Sequence, residues 1–444
     1  MSAPKIKAPR GTFDVLGEQS EARAVLQERA RTILEGAGYE RIETPAFEAT
    51  ELFARGVGAS TDIVRKEMFT LTDASGRSLT LRPEGTAPVC RAYVEHGMHK
   101  RRQPVKLWYL SSFFRHERAQ AGRYRQFWQV GAEALGSEDP AVDAESIVLL
   151  TALLSEIGVR DVRLRLSSLG SAQSRGEYRE HLRAHLHTHQ ESLSEDVRSR
   201  IEQNPLRAFD SDHEGTKAVM EKAPRLLEHL SDEDAEHFVE VRELLDVANV
   251  AYEVDSTLVR GLDYYTRTVF EFTSDALGAQ SGVGGGGRYD GLVEQLGGPP
   301  TPGIGWAAGV ERILLAGEQQ PAATRPLELF VALEDEPRSD RGGGTEDLES
   351  SPPSGGLGSA LRPERRRAAF GLLRAARSAG LTAQMELAGR SLKGQLGYAD
   401  ALGARYVAIV ENGETVVRDM QGGGQQRIAT DTVVHAVLRG LRTL

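Results

Sequence analysis

Three arginines lie in segments that could each present a guanidinium to a phosphate group. They are Arg115 in F-F-R-H-E-R, Arg260 in L-V-R-G-L-D-Y-Y and Arg312 in G-V-E-R-I. A guanidinium is planar and permanently charged, so it binds phosphate through paired hydrogen bonds better than a lysine ammonium does. Any one of these arginines alone could be a solvated surface residue, as most arginines are. If the three converge on one pocket, they would suit a nucleoside triphosphate that is losing pyrophosphate.

Other residues capable of chemistry are better explained as structural. Cys90, the single cysteine, lies in T-A-P-V-C-R-A-Y, which has the pattern of a helix core. His181, His185 and His189 fall on one face of a predicted helix at i, i+4 and i+8. A zinc site would also need a carboxylate or thiolate at ligand spacing, and a solvated helix face explains the pattern better. We therefore assign no protein ligand to a metal.

The arginine segments are embedded in a pattern of short strands. Apolar residues at helical spacing predict a helix over 21–37, which ends before Gly38. The next segment, R-I-E-T-P-A-F-E, is typical of a strand, which Pro45 restricts to a sheet edge or to an irregular position. A hairpin is predicted around D-A-S-G, and further strands at V-K-L-W-Y-L-S-S-F-F-R, Q-F-W-Q-V-G-A-E-A-L, T-V-F-E-F and the glycine run 284–287. These elements predict an α+β fold in which helices pack on a mostly antiparallel sheet.

Two further regions differ in character from this sheet. Residues of about 170–249 are polar and helical, as expected of a helical insertion. After Leu327, strand and helix patterns alternate and predict two βαβ crossovers. The segment of about 335–360 is rich in Gly, Ser, Pro and acidic residues, which predicts a disordered insertion. The predicted domains are 1–322, which carries the helical insertion, and 326–444.

The charge of the chain is unevenly distributed. The 444 residues are 40% hydrophobic and 27% charged, and the net charge of −10 argues against indiscriminate nucleic-acid binding. From Leu361 onward there are 13 Lys+Arg and 7 Asp+Glu, a balance of +6, which leaves −16 for the rest. A basic terminal module suits a polyanionic partner, although a run such as R-P-E-R-R-R can also simply solvate a helix. Neither a signal peptide nor a membrane span is expected, so the expected location is cytoplasmic.

Several longer segments resemble those of bacterial histidyl-tRNA synthetases, a family of class II aminoacyl-tRNA synthetases. The three class II motifs correspond to G-Y-E-R-I-E-T-P-A-F-E, F-R-H-E-R…F-W-Q-V-G-A-E and G-I-G-W-A-A-G-V-E-R-I. Histidine-specific signatures are matched by L-V-R-G-L-D-Y-Y-T-R-T-V-F-E and G-V-G-G-G-G-R-Y-D-G-L. The resemblance spans nearly the full length. It implies a class II antiparallel-sheet catalytic domain with a helical insertion, followed by an anticodon-binding α/β domain.

The resemblance implies a reaction in two steps. ATP and L-histidine would form histidyl-adenylate and pyrophosphate, and the histidyl group would then pass to the 3′ end of histidine tRNA. Arg115 corresponds to the family residue at the α-phosphate and Arg312 to the one at the γ-phosphate. Arg260 would lie across the α-phosphate from Arg115. Mg²⁺ is expected with ATP, and no organic cofactor is expected.

The resemblance also implies an amino-acid site. The residues that would bind histidine are Glu84, Gly85, Thr86, Gln129, Glu133, Tyr264 and Tyr265. Among them, Glu84 and Thr86 would hold the α-ammonium. Glu133 and Tyr264 would read the two imidazole nitrogens. The glycines at 284–287 would let the backbone approach the ligand. Without the flanking signature, a flexible loop would be the simpler explanation for these glycines, and packing in the sheet for the two tyrosines.

The loop between the two motif 2 strands would meet the tRNA acceptor stem or ATP through Arg118, Gln120 and Arg123. The chain departs from the family at Ala119, Ala121 and Trp128, where proline, a basic residue and commonly histidine are expected. These departures affect the expected acceptor-stem contacts of the loop rather than the chemistry.

The resemblance implies a homodimer that pairs through the helix and strand of residues 21–48. A non-catalytic alternative is the synthetase-like regulatory subunit of ATP phosphoribosyltransferase, which shares the catalytic fold. That paralogue differs most in the Arg260 segment and the anticodon-binding domain, and this chain retains both. A pure RNA-binding module would have no use for a complete triphosphate site.

Overall fold

The computed structural model describes residues 5–58, 61–202, 205–258, 262–278, 281–318, 326–334, 363–411 and 414–442. The chain divides into two compact units, Met1–Ala322 and Ala323–Leu444. Arg260 and the segment predicted to be disordered, about 335–360, lie outside the described residues. Within the described ranges, no helix is both long and apolar enough to cross a membrane.

The first unit contains eleven of the strands. They are β1 (Glu40–Arg41), β2 (Phe47–Ala49), β3 (Phe69–Thr72), β4 (Ser78–Leu81), β5 (Val105–Phe114), β6 (Gln126–Leu135), β7 (Val162–Ser168), β8 (Glu253–Val254), β9 (Thr266–Ser274), β10 (Gly282–Arg288) and β11 (Gly303–Gly309). Its α-helices are α1 (Glu18–Gly36), α2 (Thr50–Phe53), α3 (Thr86–Glu95), α4 (Pro140–Glu156), α5 (Ala172–Thr188), α6 (Glu195–Arg200), α7 (Glu214–Glu221), α8 (Asp232–Val247), α9 (Leu292–Gln295) and α10 (Val310–Ala316).

The main sheet has eight strands in the order β1-β5-β6-β11-β10-β9-β7-β8. All neighbouring pairs are antiparallel except β1 with β5 and β7 with β8. Successive residues of a strand face opposite sides of the sheet, and both sides are covered. Trp108 packs with Leu26 of α1 on one side, whereas Tyr109 packs with Cys90 of α3 on the other. The predicted antiparallel α+β architecture is confirmed.

The segment around Pro45 that was predicted as one strand is split between two sheets. β1 belongs to the main sheet, whereas β2 pairs with β4 in a separate sheet of order β2-β4-β3. Pro45 lies between them and has no N–H with which to continue a ladder. Arg82 stabilises the turn, because its Nη1 donates to the carbonyls of Thr44 at 2.6 Å and Pro45 at 3.3 Å. Pro45 therefore lies at an irregular position, one of the two predicted alternatives, where a distant side chain rather than a strand partner satisfies these carbonyls. The structure differs from the prediction in that the segment forms two short strands instead of one.

The glycine run lies in β10, between β9 and β11 in the middle of the main sheet. A Cβ at Gly286 would overlap the carbonyl oxygen of Gly305 on β11, and a Cβ at Gly287 would lie 2.6 Å from the carbonyl of Thr268 on β9. The glycines therefore let three strands approach closely. The alternative of a flexible surface loop is wrong for this run.

The helical insertion consists of α5 to α8, which lie between β7 and β8. Tyr178, Leu182 and Leu186 form its buried stripe on α5, and Ser171 caps that helix. The three histidines of the predicted helix face lie along α5 and at its end. Their rings contact His229 and backbone carbonyls, and no group of three or more His, Cys, Asp or Glu in the described ranges is arranged to hold a metal ion.

The second unit is an α/β domain built on a five-stranded sheet. Its strands are β12 (Leu329–Leu333), β13 (Ala383–Met385), β14 (Tyr406–Val410), β15 (Glu414–Asp419) and β16 (Gln425–Ala429), in the order β13-β12-β14-β15-β16. Its helices are α11 (Pro363–Ser378), α12 (Leu392–Ala401) and α13 (Val433–Arg442). The two parallel crossovers that end in β13 and β14 agree with the sequence prediction. The hairpin β15–β16 and α13 were not predicted.

Candidate active site

A cavity of about 450 Å³ opens in the first unit beside β5, β6, β10, β11 and α10. Its size is typical of a site for a small molecule. The residues assigned from sequence that line it are Glu84, Gly85, Thr86, Arg115, Arg123, Gln129, Tyr264, Tyr265 and Arg312. Glu133 lies beneath the cavity rather than in its wall, and Arg118 and Gln120 are outside its lining. Arg260 is not among the described residues.

Three arginines form the cationic part of the cavity wall, and each contacts a backbone carbonyl or a carboxylate. Arg115 follows the last residue of β5, and its Nε donates to the carbonyl of Pro83 at 2.8 Å. Arg312, in the first turn of α10, donates from Nε to the carbonyl of Gly282. The carboxylate of Glu117 lies 3.7 Å from Arg115 and 3.5 Å from Arg123. The hydrogen bonds to backbone carbonyls therefore orient Arg115 and Arg312 before any anion arrives, which is the arrangement that favours a developing negative charge.

The loop that carries Arg118, Gln120 and Arg123 is closed at its base by a backbone bond. The Arg115 N–H donates to the carbonyl of Arg125 at 2.9 Å. Gln120 and Arg123 exchange two backbone hydrogen bonds of 3.0 and 2.9 Å at the tip. The loop is thus an ordered hairpin that directs Arg123 into the cavity.

The N-terminal segment packs against this loop. The carbonyl of Gly11 accepts from the Arg125 N–H at 2.8 Å, and the rings of Phe13 and Tyr124 are 4.5 Å apart. Arg118 lines a second, smaller cavity with Arg10. The candidate acceptor-stem residue therefore faces a different surface from the substrate cavity.

Trp128, one of the departures from the family, helps to position α10. Its backbone N–H donates to the carboxylate of Glu311 at 3.0 Å, and Glu311 also pairs with Arg23 at 2.5 Å. Since Glu311 precedes Arg312, this network fixes the helix that presents the third arginine.

Glu84, another residue of the cavity wall, combines a structural and an electrostatic role. Its carboxylate accepts from the backbone N–H groups of Thr86 at 2.7 Å and Ala87 at 3.0 Å at the start of α3. Burial raises the pKa of Glu84 to about 7, against the opposing effect of these backbone hydrogen bonds. A cation bound beside it would favour the charged carboxylate.

Gln129 supplies an acceptor that is ready for a ligand. Its Oε1 is buried and, within the part of the chain that the structure describes, has no hydrogen-bond partner. A buried amide oxygen left unpaired is unfavourable, and a bound donor would relieve it. This atom is suited to an ammonium group.

Glu133 lies at the centre of a group of hydroxyls below the cavity. Its carboxylate accepts from Tyr289 at 2.7 Å, Thr86 at 2.8 Å and Tyr109 at 3.4 Å. Burial raises the pKa of Glu133 to about 8, although the hydrogen bonds from Tyr289 and Thr86 oppose the shift. Thr86 and Tyr109 line the cavity, so hydrogen bonds from their hydroxyls connect Glu133 to it.

Glycines make room for this group. The ring of Tyr109 occupies the space that a Cβ at Gly85 or Gly131 would fill, and the Glu133 carboxylate occupies the space of a Cβ at Gly305. The three glycines lie at the start of α3 and in β6 and β11. Their lack of a side chain lets Tyr109 and the Glu133 carboxylate pack directly against the backbone of these elements.

The sequence analysis missed Tyr109, Tyr289 and Glu117. Tyr109 lies in an apolar strand segment, where an aromatic residue is expected in the core. Nothing in the sequence around it indicates that it faces a ligand. Tyr289 follows the glycine run in G-R-Y-D-G, which is part of a histidine-specific signature. An aromatic residue in that signature could have been predicted to belong to the site. Glu117 is an acidic residue among arginines in the loop. Such a pattern predicts a surface ion pair rather than a carboxylate that holds Arg115 and Arg123.

Comparisons with known proteins place the chain in one family. The family model for histidyl-tRNA synthetase matches residues 11–313. A histidine–tRNA ligase of Desulforamulus reducens is 44% identical over 434 residues, which cover 96% of this chain and 97% of the relative. The crystal structure of apo S. aureus histidyl-tRNA synthetase has a TM-score of 0.77 and 33% identity, and the match covers 98% of this chain and 100% of that one.

A structure described as an ATP phosphoribosyltransferase regulatory subunit/histidyl-tRNA synthetase from Bacillus halodurans has a TM-score of 0.62. It is 21% identical, with 92% of this chain and 99% of that one covered, so it shares the fold alone. The ligase relatives match at roughly twice that identity over nearly the full length. The chain therefore belongs to the histidyl-tRNA synthetase family of class II aminoacyl-tRNA synthetases, as a histidine–tRNA ligase rather than a regulatory subunit.

Proposed function

We propose that the cavity is where this ligase activates L-histidine with ATP, with Arg115 and Arg312 as the catalytic cations. The observation that carries this proposal is convergence: Arg115, Arg312, Gln129 and Tyr264 line one cavity although they are far apart in sequence. In the reaction, the histidine carboxylate attacks the α-phosphorus of ATP, and pyrophosphate leaves. Two anions must meet, so the barrier is mainly electrostatic and positional.

The arginines divide this electrostatic work. Arg115 would stabilise the negative charge that develops at the α-phosphate, and Arg312 would hold the γ-phosphate as pyrophosphate leaves. Arg123, directed into the cavity by its loop, would add a further contact to ATP. Arg260, from the histidine-specific signature, would supply a second cation at the α-phosphate.

Histidine would be selected by the part of the cavity wall that Glu84, Gln129 and Tyr264 form. Its α-ammonium suits the unpaired Oε1 of Gln129 and the buried carboxylate of Glu84. Its imidazole would meet Tyr264 and the hydroxyls that Glu133 orients, beside Tyr265. An amino acid that lacks the ring nitrogens would leave these buried groups unpaired, which is a strong basis for discrimination.

Mg²⁺ would accompany the β- and γ-phosphates of ATP. This ion prefers oxygen ligands and usually takes only one or two carboxylates while keeping water and phosphate ligands. The carboxylates of Glu117 and Glu271 line the cavity together with the arginines, so the wall has groups of suitable chemistry. Bound there, the ion would neutralise phosphate charge.

Transfer to histidine tRNA would use surfaces outside the cavity. Arg118 and Gln120 would meet the acceptor stem from the motif 2 loop. The second unit would bind the anticodon, in keeping with the +6 balance after Leu361. The reaction draws on ATP, histidine and tRNA, and we propose that it takes place in the cytoplasm.

A homodimer is proposed from an outward-facing apolar side of the small sheet. Its register aligns six apolar residues on one side: Phe47, Ala49, Phe69, Leu71, Leu79 and Leu81. Phe47 is 53% exposed and Leu71 45% exposed, whereas on the opposite side the hydroxyls of Thr70 and Thr80 are hydrogen-bonded to each other. An apolar sheet side left open to solvent marks an interface. Because β2 follows β1 in the chain and overlaps the segment 21–48 expected to pair, a second copy of the chain suits this side.

Histidine-dependent exchange of pyrophosphate into ATP tests the proposed activation step. The purified protein should catalyse exchange with histidine and show at most background exchange with other amino acids. A protein that binds histidine and ATP but does not support exchange would contradict the proposal and favour a binding-only role.

A further inference from the structure

The segment that carries Tyr264 and Tyr265 is held by the helical insertion. Arg175, in the first turn of α5, donates from its guanidinium to the carbonyl of Tyr265. The rings of Tyr264 and Tyr265 are 4.8 Å apart, and both residues line the substrate cavity. A side chain of the insertion therefore fixes the backbone of a residue that faces the ligand.

A second connection joins the start of the insertion to β9. The Leu169 N–H donates to the carbonyl of Arg267 at 2.7 Å, and the Arg267 N–H donates to the carbonyl of Gly170 at 2.8 Å. Arg267 has a φ of 40°, a left-handed conformation that non-glycine residues rarely adopt. Such strain persists where surrounding contacts enforce it, and it clusters at functional sites.

The pairing of β9 with β10 is irregular at the same place. Gly287 pairs with Val269 whereas Arg288 pairs with Thr266, so β9 contains extra residues at Arg267. A bulge of this kind redirects the chain on either side of it. The redirected chain is the segment that leads back to Tyr265.

Asp234, at the start of α8, ties these connections together. Its Oδ1 accepts from Arg267 Nε at 3.0 Å, and its Oδ2 accepts from the Ser171 N–H and Ser174 Oγ at 2.8 Å. Ser231 Oγ donates to the same oxygen at 2.9 Å. Burial acts against the charged carboxylate, but these hydrogen bonds outweigh it and lower the pKa of Asp234 to about 2. The group therefore stays charged at neutral pH and joins α5, α8 and Arg267.

We propose that the helical insertion is a brace for the amino-acid side of the active site, with Arg175 and Asp234 as positioning residues. They act through Tyr265 and Arg267 to hold Tyr264 and Tyr265 in place for histidine. The cations for ATP are carried by other elements, Arg115 at the end of β5 and Arg312 on α10. Loosening the brace should therefore weaken the use of histidine while sparing that of ATP. The inference rests on the proposed histidine activation at this cavity.

The test compares Arg175→Ala and Arg175→Lys with a matched control, Arg183→Ala. Arg183 is on the same helix, but it pairs with Glu180 and Glu202, which both belong to the insertion. Pyrophosphate exchange is measured against histidine at saturating ATP and against ATP at saturating histidine. Arg175→Ala should raise the KM for histidine about tenfold or more, the loss expected for a hydrogen bond from a charged donor. The KM for ATP should stay within about twofold, and Arg183→Ala should leave both within about twofold.

Arg175→Lys keeps the charge but not the geometry of the guanidinium, so its KM for histidine should lie between those of the wild type and Arg175→Ala. If Arg175→Ala does not fold, the lysine variant decides the question: a selective rise in the KM for histidine supports the brace, and wild-type kinetics overturn it. Equal changes in both KM values, or an equal effect of Arg183→Ala, would also overturn it. Absence of exchange in the wild type would instead refute the proposed function.

Discussion

At the scale of single residues, the buried carboxyl of Glu133 shows how the site prepares for a polar ligand. It is enclosed by hydroxyls from Thr86, Tyr109 and Tyr289. These donors support the charged form, yet burial dominates and raises the pKa of Glu133 to about 8. Before histidine binds, the carboxyl is therefore partly protonated near neutral pH. A ligand that donates a hydrogen bond would favour its charged form.

The raised pKa makes a prediction about stability. Between its ordinary value of 4.5 and about 8, the native state binds more protons at Glu133 than the unfolded state does. Stability from this group should therefore decrease as pH rises through that window. Glu133→Gln removes the titration, so the melting temperature of the variant minus that of the wild type should increase from about pH 5 to about pH 9. Thermal unfolding without ligands measures this difference.

Glu243→Gln, at an exposed position on α8, serves as the control and should show no such increase. A difference for Glu133→Gln that stays constant with pH would mean that Glu133 ionises at the same pH in the folded and unfolded chain.

At the scale of elements, the site depends on the close packing of β9, β10 and β11. The glycines of β10 allow this, because side chains there would run into the neighbouring backbones. β10 also ends in Arg288, which is fully buried and pairs with Asp143 of α4. The strand is thus fixed at its end while its glycines form part of the cavity wall.

A matched pair of glycine substitutions tests this packing. Gly286→Ala places a Cβ on the carbonyl oxygen of Gly305, and we expect a loss of about 3 kcal/mol or failure to fold. Gly176→Ala lies on the exposed side of α5 with no atom within 4 Å of the added Cβ, and it should stabilise the protein by about 0.5–1 kcal/mol. Denaturant unfolding of the first unit gives both values. Similar results for the two variants would show that β10 tolerates side chains.

Sequence reasoning was most reliable where one local pattern determines an element. The strands β5 and β6, which are rich in aromatic and other apolar residues, were predicted, as was the helical character of the insertion. β16, with the sequence Q-Q-R-I-A, has too few apolar residues to show a strand pattern. The break at Pro45 depends on Arg82, a contact that no local pattern encodes.

The candidate site was predictable for a different reason. Most of its residues were identified through motifs, and the cavity brings nine of them together. What the motifs could not give was the layer below the wall. Glu133 was predicted as a direct reader of imidazole, but the structure places it behind Thr86 and Tyr109. Depth relative to a cavity is set by three-dimensional packing, which strand alternation does not specify.

At the scale of the whole molecule, the division into two units, with a balance of +6 after Leu361, implies separable steps. Removing the residues after 322 leaves every described residue of the cavity in place. The truncated protein should retain pyrophosphate exchange within a few-fold if it still dimerises. Charging of tRNA at low tRNA concentration should fall about a hundredfold or more, because one of two linked binding surfaces is lost. Undiminished charging would contradict the assignment of the second unit to tRNA.

The proposed dimer makes a separate prediction. Phe47→Glu introduces a charge into the apolar side of the small sheet and should shift the protein to monomers in light scattering at micromolar concentration. Val247→Glu, at an exposed apolar position at the end of α8, should leave the dimer intact. A Phe47→Glu variant that remains a dimer would place the interface elsewhere.

The central claim is that the cavity lined by Arg115 activates histidine, and pyrophosphate exchange by Arg115→Ala tests it most directly. Loss of one preorganised donor at the reacting phosphate should lower the exchange rate about a hundredfold to a thousandfold, with much smaller effects on the binding of histidine and ATP. Arg163, on β7 of the main sheet, is exposed and pairs with Asp275. The Arg163→Ala variant should therefore catalyse exchange at the wild-type rate. If folded Arg115→Ala retained exchange within about tenfold of the wild type, the assignment of this cavity as the site of adenylate formation would be contradicted.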